Sequence, residues 1–199
     1  MADDLPELLL PDASAWRAWL AAHHAQTTGV WLVLHKKGGD VTALTYVEAV
    51  EEALCFGWID GQARRRDEGS TFQRMTPRRA RSAWSVVNVD RVARLEGEGR
   101  MQDAGRAQVR AAQADGRWAA AYPGPATIQV PDDLTAALDA VPAARAWFDV
   151  LTSGNRFSIL IRIGQAKRPE TRARLIAAFV ADLAEGRTVS PQKRRPDGL

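Results

Sequence analysis

The residues best equipped for chemistry lie close together between positions 74 and 88. Those fifteen residues include Arg74, Thr76, Arg78, Arg79, Ser82, Trp84, Ser85 and Asn88. A guanidinium is a planar fork that meets phosphate or carboxylate through two parallel hydrogen bonds. The hydroxyls add donors, and an indole offers a plate on which a ring or a cation can stack. Asn88 is expected to cap a helix whose free N–H groups would extend an anion-receiving end. This composition suits a small anionic, phosphate-bearing ligand such as a nucleotide. It is equally compatible with a protein interface, where Trp and Arg are the usual anchors. In the ligand reading Arg74, Arg78 and Arg79 grip the anion, Trp58 or Trp84 stacks, and Asp60 orients an arginine through an ion pair with Arg74 or Arg78.

Charge singles out the same stretch. Residues 64–81 hold seven arginines against two acids, a balance of +5 that exceeds the +3 of the whole chain. Strand alternation would put Arg64 and Arg66 on one face and Arg65 on the other. A charged strand of this kind also fits a solvated sheet edge. The same patch, with Lys193, Arg194 and Arg195, could instead hold nucleic acid, although no nucleic-acid-binding signature accompanies it.

Catalytic templates are missing. There is no G-x-S-x-G, no phosphate-binding glycine loop and no H-E-x-x-H, so no cofactor is expected. His23 and His24 point about 100° apart on a helix, and no metal site is expected. Cys55 could be a nucleophile, but it falls late in a helix, where the dipole disfavours a thiolate. An apolar structural role is the simpler reading. An enzyme would have to use Asp60 or Cys55, and no reaction follows from either. Glu51 and Glu52 are expected to face solvent.

The elements that would position these residues form an α+β fold, a small mixed or antiparallel sheet with packed helices, followed by an all-helical C-terminal region. Residues 1–10 read as a loose arm. Trp16, Trp19, Leu20 and His23 lie on one face of a short helix, with the two tryptophans directed at the core. The apolar run from Val30 to His35 reads as a strand covered on both sides. Thr45 and Glu48 form a capping box, Ala49, Val50, Ala53 and Leu54 form a stripe, and Gly57 ends the helix. A hairpin follows, turning at Asp67-Glu68-Gly69-Ser70. An alanine-rich helix is expected near residues 103–115. The Pro- and Gly-rich stretch 121–131 divides a domain of residues 1–120 from a helical region, 132–187, and a basic flexible tail, 188–199. Four helices are expected in the helical region, with Phe157, Leu160 and Ile161 meeting a stripe of Leu175, Ile176, Phe179, Val180 and Leu183.

Three motifs, CFGWIDG at residues 55–61, QRMTPRRARSAWSVVN at 73–88 and AKRPETRARLIAAFV at 166–180, resemble the YdeI/OmpD-associated, or bacteriocin-protection, family. The likeness runs from about Trp16 to Arg187. It implies a bacterial protein linked to resistance against antimicrobial peptides and to envelope stress, with no established reaction and no catalytic residue to carry over. An interaction protein for the cell envelope is another role it implies. That family is sometimes described as periplasmic, but MADDLPELLLPD has no basic n-region and only three consecutive leucines, which is not a secretory signal. With one cysteine and no apolar run long enough to cross a bilayer, a cytoplasmic location is expected. A hydrophobic content of 46% with 26% charged residues is that of an ordinary globular chain. Oligomeric state is open.

Overall fold

A computed structural model describes residues 5–197. The chain folds as two units, the first ending at Ala121 and the second beginning at Tyr122.

The first unit has the expected α+β architecture. In chain order it contains β1 (Glu7–Leu8), α1 (Ala13–His23), β2 (Val30–His35), α2 (Tyr46–Cys55), β3 (Trp58–Arg65), β4 (Ser70–Pro77), α3 (Val86–Gly97) and α4 (Asp103–Ala114). The sheet order is β1-β2-β4-β3, with β1 parallel to β2 and the other pairs antiparallel. β2 is therefore interior, as its uninterrupted apolar run requires. The expected loose arm is corrected for residues 5–10: Glu7 and Leu8 pair with Trp31 and Leu32, and Leu8 and Leu10 pack on the core. Residues 1–4, and 198–199 of the expected tail, lie outside the described residues.

Local chemistry explains the elements around the hairpin. Thr45 and Glu48 form a complete capping box on α2. Gly57, at φ 74°, ends the helix in the left-handed conformation that favours glycine. At the β3–β4 turn, Asp67 Oδ1 accepts the N–H groups of Gly69 and Ser70 at 2.9 and 2.7 Å. Trp16, Leu20, Leu32, Leu44, Trp58, Met75 and Leu95 fill the core between the sheet and its helices.

Glu51 and Glu52 do not face solvent; both are buried. Glu52 accepts from Arg17 and Arg100 at 2.6 Å each, and Glu51 accepts from Arg94 and Arg100. The network ties α2 to α1, to α3 and to the segment after α3. α4 then crosses the end of α2 at backbone contact: a Cβ on Gly105 would lie 2.3 Å from the Cys55 carbonyl oxygen.

The second unit contains α5 (Asp132–Asp139), α6 (Pro142–Asp149), α7 (Ser153–Gly164) and α8 (Pro169–Ala184). Pro142 and Pro169 open their helices, where a missing N–H costs nothing. Ile176, Phe179, Val180 and Leu183 are buried as expected, but the matching stripe on α7 is Ile159, Leu160 and Ile163, with Phe157 and Ile161 only half-buried. The stretch after α8 is bonded at least as far as Gln192. Buried Asn155 exchanges hydrogen bonds with the Ser190 backbone and donates to Gln192 Oε1.

Candidate functional site

Strand register assigns the candidate residues to opposite faces of the sheet. Val30, Leu32 and Leu34 point into the core and pair with Met75, Gln73 and Thr71. Side chains alternate along a strand and cross-strand partners share a face. Trp31, Val33, Phe72, Arg74 and Thr76 therefore occupy the other face. A bulge in β3 between Asp60 and Ala63 lets Asp60 pair with Met75 and Arg64 with Phe72. Asp60 accordingly lies on the α2 side, where Tyr46 Oη donates to its Oδ2 at 2.8 Å. Its expected ion pair with Arg74 or Arg78 is not formed, since Asp60 and Arg74 stand on opposite faces. The bulge leaves the Gly61 carbonyl to Gln73, whose Nε2 donates to it at 2.9 Å.

Arg78 and Trp84 are brought together, but against each other. The Arg78 guanidinium lies 3.6 Å from the Trp84 ring centroid, and its Nη1 donates to Ala83 O at 3.1 Å. Both are buried, and because the guanidinium occupies the face of the indole, Trp84 does not offer that face to a ligand ring. Trp58, 1% exposed, is a core residue whose Nε1 donates to His24 O and whose ring meets Trp16 and Trp19 edge-on. It cannot stack a ligand.

Ser85, and not Asn88, caps α3: its hydroxyl accepts the Asn88 N–H at 3.2 Å. Asn88 is buried one turn into the helix and its Oδ1 accepts from Arg91. Arg79 is exposed, with its backbone N–H bonded to Ser82 Oγ. Thr76 stays on the outer sheet face opposite Ile59, its methyl packed beside Gly29.

Among the candidates, Arg74 and Trp84 each keep a buried donor with no acceptor among the described residues, at Arg74 Nε and Trp84 Nε1, and only Arg74 lies opposite a second such donor across the sheet. Arg74 pairs directly with Trp31, so their Cβ atoms are separated by about 5 Å. Trp31 is 3% exposed, and its Nε1 is a buried donor with no acceptor among the described residues; Arg74 Nε is another. The Arg64 guanidinium lies over the Trp31 ring at 4.0 Å and near Phe72 at 4.9 Å, while Arg66 is paired with Glu7 and Asp67. Trp31 was not among the sequence candidates. The available signal was that it is the one residue of the apolar β2 run, before His35, that carries a side-chain donor.

Cys55 is fully buried. Burial and the negative charge of Glu52 push its thiol pKa up, against the opposing influence of Arg17 and Arg100, so it stays protonated at neutral pH. This weakens it as a nucleophile. The ring Nδ1 atoms of His23, His24 and His35 contact the backbone oxygens of Trp19, Leu20 and Thr42. Among the described residues no group of three His, Cys, Asp or Glu side chains could hold a metal ion. Nor is any described helix long and apolar enough to cross a membrane.

Comparison with known families divides the chain much as its fold does. Residues 8–108 match the family described as Domain of unknown function (DUF8412), and because this match spans half of the chain, the protein belongs to that family. Residues 127–186 match the family described as Bacteriocin-protection, YdeI or OmpD-Associated. The motif at 166–180 lies inside this second match, whereas those at 55–61 and 73–88 fall within the first. No curated protein and no solved structure matches the chain.

Proposed function

We propose that this member of the DUF8412 family binds a small anionic, phosphate-bearing ligand on the sheet face turned away from α2. The observation that carries this reading is the pair of buried donors, Trp31 Nε1 and Arg74 Nε, at directly opposed strand positions and with no acceptor among the described residues. A buried donor without a partner costs free energy, so such groups mark places where something else completes the hydrogen bonding. Two donors beside a fixed positive charge select an oxyanion over a neutral ligand. The Arg74 guanidinium itself carries that charge, and the Arg64 stack on Trp31 and Phe72 orders the indole.

Arg78 and Trp84 serve this site by fixing the segment that follows β4. A long nucleic acid is a poorer fit than a small anion, because Arg66, Arg94, Arg100, Arg106, Arg117 and Arg172 already pair with carboxylates. The lone thiol at Cys55 suits a reducing, cytoplasmic setting. A link to protection against bacteriocins would then act through the bound metabolite.

Thermal unfolding with inorganic phosphate, sulfate and a nucleoside monophosphate panel tests the reading. The wild type should gain stability with phosphate-bearing compounds, and Arg74→Gln and Trp31→Phe should each lose most of that gain. Equal shifts in all three proteins, or none in the wild type, would remove the proposal.

A further inference from the structure

We infer a second ligand site, for a small amphipathic carboxylate, in the groove between α3 and α4. The groove has a volume of about 370 Å³, with Val92, Met101, Val109 and Trp118 supplying its apolar lining and Arg106 and Arg110 its cations. It lies on elements other than the Trp31–Arg74 pair and does not depend on the reading of that site.

The composition of α4 explains why the space is open. Its buried residues are Gly105 and Ala112, the first pressed onto the end of α2. Arg106, Val109, Arg110 and Gln113 follow at i, i+3, i+4 and i+7, which puts them on one helical face along the groove. Only Val109 among them is an apolar side chain, and α3 answers with Val92 and Ala93. Protein interiors are normally close-packed, but these residues are too small or too polar to fill the gap.

The groove has a fixed wall. The Trp118 ring packs on Trp84 with centroids 4.8 Å apart, and its backbone N–H bonds to Ala112 O. Neighbouring Arg117 is tied to Asp115 and to Ser82 O. A preformed cavity of this size lies within the usual range for small-molecule sites.

Charge selects the occupant. Arg106 is neutralised by Glu96, which accepts its Nε through both oxygens at 3.0 Å, and by Asp103. Arg110 makes no ion pair among the described residues, so one cation at the groove remains uncompensated. An apolar body with a single carboxylate satisfies both the lining and Arg110. A second negative charge would be brought towards Glu96.

Calorimetric titration of the full chain with phenylpropionate and with its neutral carboxamide tests the site. Wild type should bind the acid at one site, with the carboxamide about tenfold weaker, as expected for loss of one charge-assisted hydrogen bond. Arg110→Gln, a surface change, should reduce the acid to the carboxamide level and leave the carboxamide unchanged. Ala93→Trp, which fills the groove, should abolish both. No binding by wild type, equal affinity for acid and carboxamide, or full binding by Ala93→Trp would each overturn the inference.

Discussion

The Arg78 guanidinium carbon lies over Trp84, 3.6 Å from the ring centroid, with both side chains buried. A desolvated cation–π contact of this kind is worth about 2 kcal/mol, and Arg78 adds a hydrogen bond to Ala83 O. Arg78→Ala should therefore destabilise the first unit by at least about 2 kcal/mol in urea unfolding. Arg78→Lys should restore less than half, because an ammonium lacks the planar stacking surface. An alanine variant as stable as wild type would show that the stack contributes nothing.

Trp31 and Arg74 should behave in the opposite way. Arg74→Met keeps the aliphatic stem and removes a buried donor that has no acceptor among the described residues. An unsatisfied buried donor costs about 1–3 kcal/mol. Without added anion, the variant should be as stable as wild type or more so; with saturating phosphate, only wild type should gain. A clear loss of stability in phosphate-free buffer would mean that Arg74 is a structural residue.

The contrast between these two pairs shows what sequence can and cannot reveal. The hairpin, the α2 capping box and the four C-terminal helices were legible because their signals are local: Thr45 with Glu48, a left-handed Gly57, and prolines at 142 and 169. The burial of Glu51 and Glu52 was not, since their arginine partners lie 35 to 49 residues away in sequence. The ion pair expected between Asp60 and Arg74 or Arg78 is missing because the register sets Asp60 opposite Met75, on the other face from Arg74, and register cannot be read from composition. The α3 cap was placed at Asn88, one turn late, because Ser85 and Asn88 are both favoured N-cap residues and residue type alone does not choose between them. Arg74 was found through local charge; Trp31, more than forty positions earlier, became its neighbour only through β2–β4 pairing.

The two acids on α2 offer a paired comparison. Glu52 meets Arg17 and Arg100, whose side chains are each 32% exposed, so the usual cost of breaking a buried pair is softened by solvent. Glu52→Ala should cost about 2–3 kcal/mol, and the exposed Glu48→Ala under about 1 kcal/mol. Bonds from the Thr45 backbone and hydroxyl lower the Glu48 pKa. Its contribution is thus present above the ordinary glutamate range and lost as pH falls through the depressed value. Comparing wild type with Glu48→Ala across the acid limb should show this difference shrinking. A constant difference would rule out the linkage.

Gly105 is where α4 meets α2 most closely. A Cβ there would meet the Cys55 carbonyl oxygen at 2.3 Å and its carbon at 2.8 Å, both backbone atoms that cannot swing aside. Gly105→Ala should cost about 1–3 kcal/mol through forced separation of the helices, despite alanine's better helix propensity. Gly97→Ala, with nothing near its would-be Cβ, should be neutral or stabilising. Equal stability of the two variants would contradict the packing described.

Cys55 supplies the alkaline counterpart. Because burial and Glu52 raise its pKa in the folded protein, the folded state holds this proton more tightly than the unfolded state. Its contribution is full below the ordinary thiol range and falls as pH rises through that range towards the elevated folded value. Urea unfolding from neutral into alkaline pH should show stability declining more steeply for wild type than for Cys55→Ala, and alkylation of the native thiol should require opening of the fold. Parallel pH profiles for the two proteins, together with rapid alkylation under native conditions, would show instead that the thiol is accessible and ionises freely.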